Sequence, residues 1–444
     1  MGDASLGTGK DFAAPWPPKT WHKGTKGELP RWFSMDLDDL ETLAMTLTPG
    51  GQADAITQEN LTVKMPPARG LGRFGRMQRI VDLFRLADIE IGGSRPWDIR
   101  VHKDRFYQRV MAQGSLGLGE GYMDGDWECD ALDQFFDRVI GHRLSDKLGF
   151  TLPLALLVAV SRFQNRQTMK RAKQAADVHY DLPVDIFEAT FDTRLTGSCG
   201  YWKDAATLDE AQDAKLDLIC RKIGLRRGDV VLDIGCGWGS FLGYAAERYG
   251  AECLGVTVSP VQCEYAKKRY AGLPVKPMLQ DYRDYAGPKA DHLVSMGMFE
   301  HVGAKNYRTY FECARRAMKD DGLFLLHTIW ENERYPTIDT WQNKYIFPNG
   351  DLPSVGEIAT AAEGLFVVED VHNFGVYYDR TLMAWNEKFQ SHRTVMAQRH
   401  GERFCRMWEY YLMQSAGAFR CRHISVGQFV LSPQGLRGGY QSVR

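Results

Sequence analysis

The chain has 444 residues, a length that predicts two or three domains. Its 44% hydrophobic and 25% charged residues are typical of a soluble globular protein. The 55 basic residues nearly balance the 56 acidic ones, which excludes nucleic acid binding through bulk positive charge and leaves only local patches to consider.

The cysteines and the apolar segments bear on the cellular compartment of the protein. The nine cysteines are scattered without Cys-x-x-Cys spacing, so we expect neither a metal site nor a disulfide framework. No apolar stretch of signal-peptide type lies near residue 1, and the longest apolar run, 152–160, falls far short of the ~20 residues of a membrane-spanning helix. We therefore expect a cytoplasmic protein that can still touch a membrane.

Residues 1–78 differ from the rest of the chain. Prolines and tryptophans are interspersed between Pro15 and Trp32, and the basic stretch 64–79 carries prolines and glycines typical of a linker. We predict a partly disordered N-terminal extension and assign it no activity.

Residues 79–145 have a mixed pattern. Helices are predicted at 79–87 and 104–113, a strand at 89–91, and a glycine-rich stretch follows at 114–125. This pattern predicts a small mixed α+β domain.

Residues 146–175 form the predicted connection to the rest of the chain. An apolar segment, 152–160, precedes a run of basic side chains in which no acid occurs before Asp177. An apolar segment beside a basic one suits the interface of an anionic bilayer. An ordinary linker helix with a solvated basic end is the alternative. The candidate membrane contacts are Arg166, Lys170, Arg171 and Lys173.

From about residue 206 the pattern alternates between strands and helices. Strands are predicted at 230–234, 252–258, 275–279, 292–296 and 322–328, and helices at 208–223, 240–249, 261–270 and 307–318. Repeated strand–helix units predict a doubly wound, Rossmann-like α/β fold with a parallel sheet. Ligands of such folds bind at the carboxyl ends of the strands.

A glycine-rich turn follows the first of these strands. Asp233 ends the apolar run, and Gly235, Gly237 and Gly239 follow at every second position. A dinucleotide site would have Gly-x-Gly-x-x-Gly and a later acid for the ribose. The spacing here instead resembles the first motif of S-adenosylmethionine-dependent methyltransferases, in which the acid and the backbone hold the methionine end of the cofactor. The second strand ends in neutral Thr257 and Ser259 rather than in the usual acid.

Several segments together resemble the cyclopropane-fatty-acid synthases, including the mycolic acid cyclopropanating enzymes. The resemblance runs from about residue 79 to the C-terminus and leaves 1–78 outside it. The segments are His179-Tyr180-Asp181-Leu182, Ser198-Cys199-Gly200-Tyr201-Trp202, the glycine turn, 257–262, 280–284, 297–303, 326–329, 344–350 and 373–385, with 114–120 and 125–129 matching the longer bacterial members.

The resemblance implies a reaction and partners. A methylene carbon from S-adenosylmethionine is added across a cis double bond of an unsaturated phospholipid acyl chain at the inner face of the membrane, which gives a cyclopropane. The longer bacterial members are homodimers whose N-terminal domain helps to engage the lipid surface. The catalytic domain would then be 176–444, an S-adenosylmethionine-dependent methyltransferase fold. No nucleic acid is expected as a partner.

The resemblance also implies a bound bicarbonate ion as the base that closes the ring. Cys199, Glu300, His327 and Tyr378 stand at the matching positions, and Ile329 matches a residue that contributes its backbone amide. Three of them have structural alternatives. Cys199 could be a buried small thiol, Glu300 a cap of the following turn, and His327 a core histidine with satisfied hydrogen bonds.

The resemblance places cofactor contacts at further positions. Asp281 follows the third strand, where acids often bind the adenine amine, and Tyr282 is expected beside the adenine. Gly197 and Gly200 depart from the usual aromatic residue and alanine around the Ser-Cys pair. The cofactor set is Ser198, Asp233, Gly235, Gly237, Gly239, Thr257, Ser259, Gln262, Asp281 and Tyr282.

Two other functions stay open from the sequence. A related lipid C-methyltransferase would share the same carbocation and stop at a methyl or methylene branch. A non-catalytic lipid-surface protein could keep the fold, although the glycine turn and the five bicarbonate positions argue against it.

Overall fold

The structure is a computed structural model that describes residues 73–147, 182–333, 339–348 and 350–444. The extension up to residue 72 and most of the predicted linker lie outside the described residues. The four candidate membrane contacts, Arg166, Lys170, Arg171 and Lys173, lie there too.

The N-terminal region, residues 73–147, combines helices with a two-stranded antiparallel sheet. In the sheet, Arg100 of β1 lies opposite Glu128 of β2. The buried ring of Trp127 packs against Phe106 and Phe135 and centres this part of the core. The elements are α1 (Arg73–Arg85), β1 (Ile99–Val101), α2 (Arg105–Gln113), α3 (Ser115–Met123), β2 (Trp127–Cys129), α4 (Leu132–Gly141) and α5 (Leu144–Lys147).

The glycine-rich stretch at 114–125 forms a helix, α3. Glycine weakens a helix by up to about 1 kcal/mol relative to alanine, so the packing must compensate. A Cβ at Gly117 would lie 2.2 Å from the carbonyl oxygen of Arg109, and one at Gly119 would lie 2.3 Å from the Trp341 ring. The glycines therefore let this helix approach both α2 and the second half of the chain closely.

A seven-stranded sheet forms the centre of the second half. Its order is β5-β4-β3-β6-β7-β9-β8, in which β3 to β7 pair in parallel and β9 runs antiparallel to both of its neighbours. The strands are β3 (Val230–Ile234), β4 (Glu252–Thr257), β5 (Val275–Leu279), β6 (His292–Met296), β7 (Phe324–Glu331), β8 (Val367–Asn373) and β9 (Ile424–Ser432).

Helices alternate with the strands along the chain, which confirms the predicted Rossmann-like α/β class. The capping box of Thr207 and Glu210 starts α7, and Ser259 with Pro260 starts α9. The helices are α6 (Val184–Glu188), α7 (Leu208–Lys222), α8 (Ser240–Tyr249), α9 (Pro260–Arg269), α10 (Tyr307–Ala317), α11 (Thr340–Tyr345), α12 (Val355–Ala362), α13 (Val376–Ser391), α14 (Arg393–His400) and α15 (Glu402–Arg420).

The apolar core is continuous between the N-terminal region and the C-terminal helices. Tyr410 of α15 packs against Tyr122 at 5.7 Å and Phe136 at 4.8 Å between ring centroids. Arg420 donates to Asp133 at 2.6 Å. The two parts of the chain thus share one packed interface, and the domain division at residue 145 stays a prediction.

The described residues contain neither a membrane-spanning helix nor a cluster of metal ligands. No helix among them is long and apolar enough to cross a membrane. No group of three or more histidine, cysteine or carboxylate side chains among them could hold a metal ion.

Candidate active site

A cavity of about 940 Å³ lies where the carboxyl ends of the central strands meet the helices. Its size is near the upper end of ligand sites in proteins, so it offers room for more than one small molecule. We call it the central cavity. Its lining has two parts, which we call the polar lining (Ser198, Gly235, Gly237, Glu300, His327) and the apolar lining (Phe84, Val110, Phe136, Val139, Phe419).

The glycine turn follows β3, at the point where the strand order reverses between β4 and β6. Gly235, Gly237 and Gly239 have φ angles of 89°, 52° and 82°, which favour glycine. A Cβ at Gly235 would lie 2.5 Å from Met298, and both Gly235 and Gly237 line the central cavity. The turn therefore exposes its backbone to the cavity.

Gly239 differs from the other two glycines. It does not line the central cavity, and a Cβ there would lie 3.0 Å from Ala266 and 3.1 Å from Tyr270. The cofactor contact of Gly239 therefore stays a prediction, with its neighbours Trp238 and Ser240 at the cavity. Gly239 lets α8 begin with a left-handed residue close to α9, and this spacing could be seen only after the two helices were placed.

Asp233 is a buried carboxyl group that does not itself line the cavity. It is 1% exposed, and neither carboxylate oxygen has a hydrogen-bond partner among the described residues. Burial raises its pKa to about 7, against the opposing charge of Lys215. A buried carboxylate without a hydrogen-bond partner destabilises the folded protein unless a ligand binds it or a proton neutralises it.

Neutral side chains follow β4, as the sequence predicts. Ser259 accepts from the Gln262 backbone N–H at 3.3 Å and caps α9. The Thr257 hydroxyl lies 3.4 Å from Gln262 Oε1. All three side chains line the cavity.

The segment after β5, residues 280–283, also lines the cavity. Tyr282 packs edge-on against Tyr310 at 5.4 Å between ring centroids. The Arg283 guanidinium donates to Asp281 at 2.6 and 2.8 Å, so the Asp281 carboxylate already has a strong internal partner. Its predicted adenine contact would have to share that carboxylate with Arg283.

Cys199 is fully buried and does not line the central cavity. Its thiol donates to the Gly200 carbonyl at 3.3 Å, and Thr381 of α13 receives the Gly200 N–H at 3.0 Å. Burial raises the pKa of Cys199, so the group is a neutral thiol. The structure places it behind Ser198 rather than at the cavity wall.

Glu300 lies on a short helical turn, Phe299–His301, after β6. The Phe299 ring stacks on Tyr307 at 4.4 Å and fixes the turn. Glu300 Oε1 accepts the Ile329 N–H at 2.7 Å, whereas Oε2 is buried with no hydrogen-bond partner among the described residues. Burial raises the pKa of Glu300 to about 7.

This contact changes the predicted role of Ile329. Its amide hydrogen is engaged by Glu300 and is not a separate donor toward the cavity. The amide orients the carboxylate instead, because one N–H makes one strong hydrogen bond.

His327 lies two residues before Ile329 on β7, so both side chains lie on the same face of the strand. The imidazole is 1% exposed, and neither ring nitrogen has a hydrogen-bond partner in the described part of the chain. Burial holds its pKa well below the usual value, so the ring is neutral at pH 7. A neutral imidazole offers one donor and one acceptor to a ligand.

Aromatic side chains of α13 also line the central cavity. Tyr378, Leu382 and Trp385 are spaced along one face of α13, and all three line the cavity. The Tyr378 ring lies 4.4 Å from the Phe419 centroid. These rings form an apolar part of the wall of the same cavity as the buried acid and imidazole.

The central cavity thus brings together most of the predicted residues. They are Glu300, His327, Ile329, Tyr378, Ser198, Gly235, Gly237, Thr257, Ser259, Gln262, Asp281 and Tyr282, whereas Cys199, Asp233 and Gly239 do not line it.

Sequence reasoning missed Lys215, a fully buried lysine that donates to Ser198 at 2.8 Å. A signal was available, because Lys215 falls on the apolar stripe of α7 between Ala211 and Ile219. The apolar lining from residues 84–139 was missed as well, and no local pattern pointed to it.

Comparisons with known proteins identify the family of the chain. A profile of mycolic acid cyclopropane synthetases matches residues 167–429. The cyclopropane-fatty-acyl-phospholipid synthase of Escherichia coli K12 is 49% identical over 363 residues, which cover 82% of this chain and 94% of that protein.

Two solved structures resemble the second half of the chain. The cyclopropane synthase MmaA2 of Mycobacterium tuberculosis is 30% identical with a TM-score of 0.56. The match covers 59% of this chain and 98% of the MmaA2 chain. The mycolic acid cyclopropane synthase CmaA1, solved as a complex with SAH and CTAB, is 32% identical with a TM-score of 0.55 and the same coverage of 59% and 98%.

Proposed function

The chain belongs to the mycolic acid cyclopropane synthetase family. On this premise we propose that it transfers a methylene group from S-adenosylmethionine to the cis double bond of an unsaturated phospholipid acyl chain and forms a cyclopropane. One observation carries the proposal: a single cavity holds the glycine turn, the buried Glu300 and His327, and an apolar lining long enough to extend into the N-terminal region.

The polar lining suits the cofactor. Gly235 and Gly237 present backbone to the cavity, and Ser198, Thr257 and Gln262 supply neutral hydrogen-bonding groups. S-adenosylmethionine, when bound, supplies an electrophilic methyl carbon. These residues would hold the cofactor beside the alkene, which matters because an isolated alkene is a weak nucleophile.

The apolar lining suits an acyl chain. Phe136, Val139 and Val110 exclude water from the reaction and bury the methylene groups beside the double bond. Methyl transfer leaves a positive charge on the acyl chain. The faces of Tyr378 and Phe419 can stabilise that charge through cation–π attraction.

The residues present also fit a bicarbonate ion. Glu300 Oε2 and both ring nitrogens of His327 are buried polar atoms without hydrogen-bond partners among the described residues. Bicarbonate, when bound, supplies a weakly nucleophilic base for the proton of the new methyl group. Glu300 would accept from its hydroxyl, His327 and Tyr378 would donate to its oxygens, and the Ile329 amide would hold Glu300 in place. Cys199 would support this wall from behind Ser198.

We propose an extension at 1–78, a lipid-engaging domain at 79–145, a basic linker helix at 146–175 and a catalytic domain at 176–444. The protein would act as a homodimer on phospholipids, in the cytoplasm and peripherally associated with the inner face of the membrane. The apolar lining supplied by residues 84–139 supports a lipid role for the second of these segments.

The basic segment offers a test of peripheral contact. Neutralising Arg166, Lys170, Arg171 and Lys173 together should weaken sedimentation with anionic vesicles, and more so at low salt than at high salt, because salt screens exposed charges. Zwitterionic vesicles are the control. Unchanged binding to anionic vesicles would remove this segment from the membrane contact.

The reaction itself is tested with vesicles of monounsaturated phospholipid and S-adenosylmethionine. We expect release of S-adenosylhomocysteine and a product that mass spectrometric fragmentation assigns as a cyclopropane. Fully saturated vesicles are the control. A methyl- or methylene-branched product would replace the proposal with a C-methyltransferase, and no turnover would favour a non-catalytic lipid-surface protein.

A further inference from the structure

Lys215 is a buried cation next to the polar lining. It lies on α7 with 0% of its surface exposed, and its Nζ donates to Ser198 Oγ at 2.8 Å. The other polar neighbour of Nζ among the described residues is Met296 Sδ, at 3.7 Å. No carboxylate oxygen of the described residues lies within 4.0 Å of this ammonium group. The charge thus contacts only neutral acceptors.

A buried ammonium group without an anion is unfavourable in a folded protein. Burial lowers the pKa of Lys215 to about 8, while the more distant Asp192, Cys199 and Asp233 raise it. The group therefore stays mainly protonated at neutral pH. Its arrangement suggests that the missing anion comes from a ligand.

The same helix also fixes the backbone that carries Ser198. Gln212, one turn before Lys215, donates from Nε2 to the Ser198 carbonyl at 2.7 Å. Gln212 and Lys215 therefore hold both the main chain and the side chain of Ser198. Such a double attachment positions a hydroxyl group more rigidly than either contact alone.

The Ser198 hydroxyl can link Lys215 to a ligand in the central cavity through hydrogen bonds. An ammonium group only donates hydrogen bonds, so Ser198 Oγ is the acceptor in the contact with Lys215. The hydroxyl keeps one hydrogen of its own to donate elsewhere. Ser198 lines the central cavity together with Gly235 and Gly237. A ligand group that meets this hydroxyl should therefore be an acceptor, and a negative charge would be favoured.

We propose that Lys215 is a positioning residue whose charge, acting through the Ser198 hydroxyl, favours binding of the carboxylate at the methionine end of S-adenosylmethionine. This inference rests on the proposed cofactor and adds a residue that acts on it without touching it. A bicarbonate ion is the other carboxylate-like anion that the same charge could favour, so the test must separate the two sources.

Calorimetric titration separates them with two ligands, S-adenosylhomocysteine and its decarboxylated analogue, in buffer without bicarbonate. Lys215→Met should weaken S-adenosylhomocysteine about tenfold to a hundredfold, the loss that accompanies a charge-assisted hydrogen bond. The decarboxylated analogue should bind both proteins equally. Lys215→Arg should restore part of the affinity, because it keeps the charge.

Lys222 offers a matched control on the same helix. It is also buried, at 1% exposure, but its Nζ lies 3.0 Å from Nδ1 of His372, a residue that does not line the cavity. Lys222→Met removes a buried lysine from α7 and should leave both affinities near those of the unchanged protein. Ser198→Ala should reproduce the selective loss of Lys215→Met and covers the case in which Lys215→Met does not fold.

The outcomes are distinct. Equal losses for both ligands, or no loss for S-adenosylhomocysteine in a folded Lys215→Met and Ser198→Ala, would overturn the relay. A difference that emerges only when bicarbonate is added would assign the charge to that ion and overturn the carboxylate contact. Failure of the unchanged protein to bind S-adenosylhomocysteine would instead refute the proposed cofactor.

Discussion

The polar lining and the apolar lining of the central cavity are built in different ways. The polar lining comes mainly from strand ends and the turns that follow them, where backbone geometry fixes Gly235, Glu300 and His327. The apolar lining comes from side chains of the N-terminal region and α15, such as Phe136 and Phe419. The first set orients atoms, whereas the second excludes water and defines shape, so changes in each should affect different measurements.

The largest expected effect lies in the polar lining. Glu300→Gln should lower turnover about 10²- to 10⁴-fold, the range for a lost acid–base function, because the amide places a donor where a carboxylate oxygen should accept. Affinity for S-adenosylhomocysteine should stay unchanged. Product formation on unsaturated vesicles and calorimetry measure the two. Glu363→Gln, at an exposed helix end, is the control, and normal turnover of Glu300→Gln would remove Glu300 from the base site.

The pH dependence sharpens the same assignment. Burial raises the pKa of Glu300 to about 7, and the group accepts from a bicarbonate hydroxyl only as a carboxylate. Turnover should therefore be full well above pH 7 and should fall about tenfold per pH unit below it. Initial rates must be compared at a constant concentration of bicarbonate ion. Glu300→Gln should lack this transition, and an identical pH profile for both proteins would assign it to another group.

A charge in the apolar lining should have a smaller and different effect. Val139→Asp places a carboxylate beside the acyl chain and should lower turnover on vesicles about tenfold through weaker binding of lipid, since burying a charge against hydrocarbon is unfavourable. Val139→Leu is the matched control and should stay active. The initial-rate dependence on vesicle concentration, together with S-adenosylhomocysteine affinity, checks this. A loss of cofactor affinity as large as the loss of turnover would contradict the separation of the two linings.

The smallest expected effect concerns the packing of α3 in the N-terminal region against Trp341 in the second half of the chain. Gly119→Ala would place a Cβ 2.3 Å from the Trp341 ring and should lower the free energy of unfolding by about 1–3 kcal/mol. Urea unfolding measures the change. Gly356→Ala, whose Cβ would meet only Ser354 Oγ at 3.9 Å in helix α12, should be neutral or stabilising. Equal stability of both variants would mean that α3 can move away from Trp341 without cost.

Much of the polar lining could be predicted from the sequence, because its signals are local. The alternation of strands and helices placed β3, β5 and β6 at their observed bounds, and the glycine turn pointed to Gly235 and Gly237. A tight turn after a buried strand needs particular residues at fixed spacing, and these residues are close together in the sequence. The resemblance then added Glu300 and His327, which do line one cavity.

Local signals did not reveal the tertiary surroundings of particular residues. Gly239 looks like its two neighbours in sequence, yet it packs against Tyr270 rather than lining the cavity. The Ile329 amide was expected to donate into the site, yet Glu300 accepts it. In both cases the deciding partner is distant in sequence, so no neighbouring residue could reveal the difference.

The sequence by itself determined the α/β class, the strand order along the chain and the residue types of the polar lining, because these follow from periodicity, turn chemistry and motif spacing. Tertiary structure decided that β9 inserts antiparallel between β7 and β8 and that residues 84–139 wall the same cavity. It also decided that Lys215 is buried against Ser198. Long-range packing sets those features, since burial and charge pairing depend on which surfaces meet after the chain has folded.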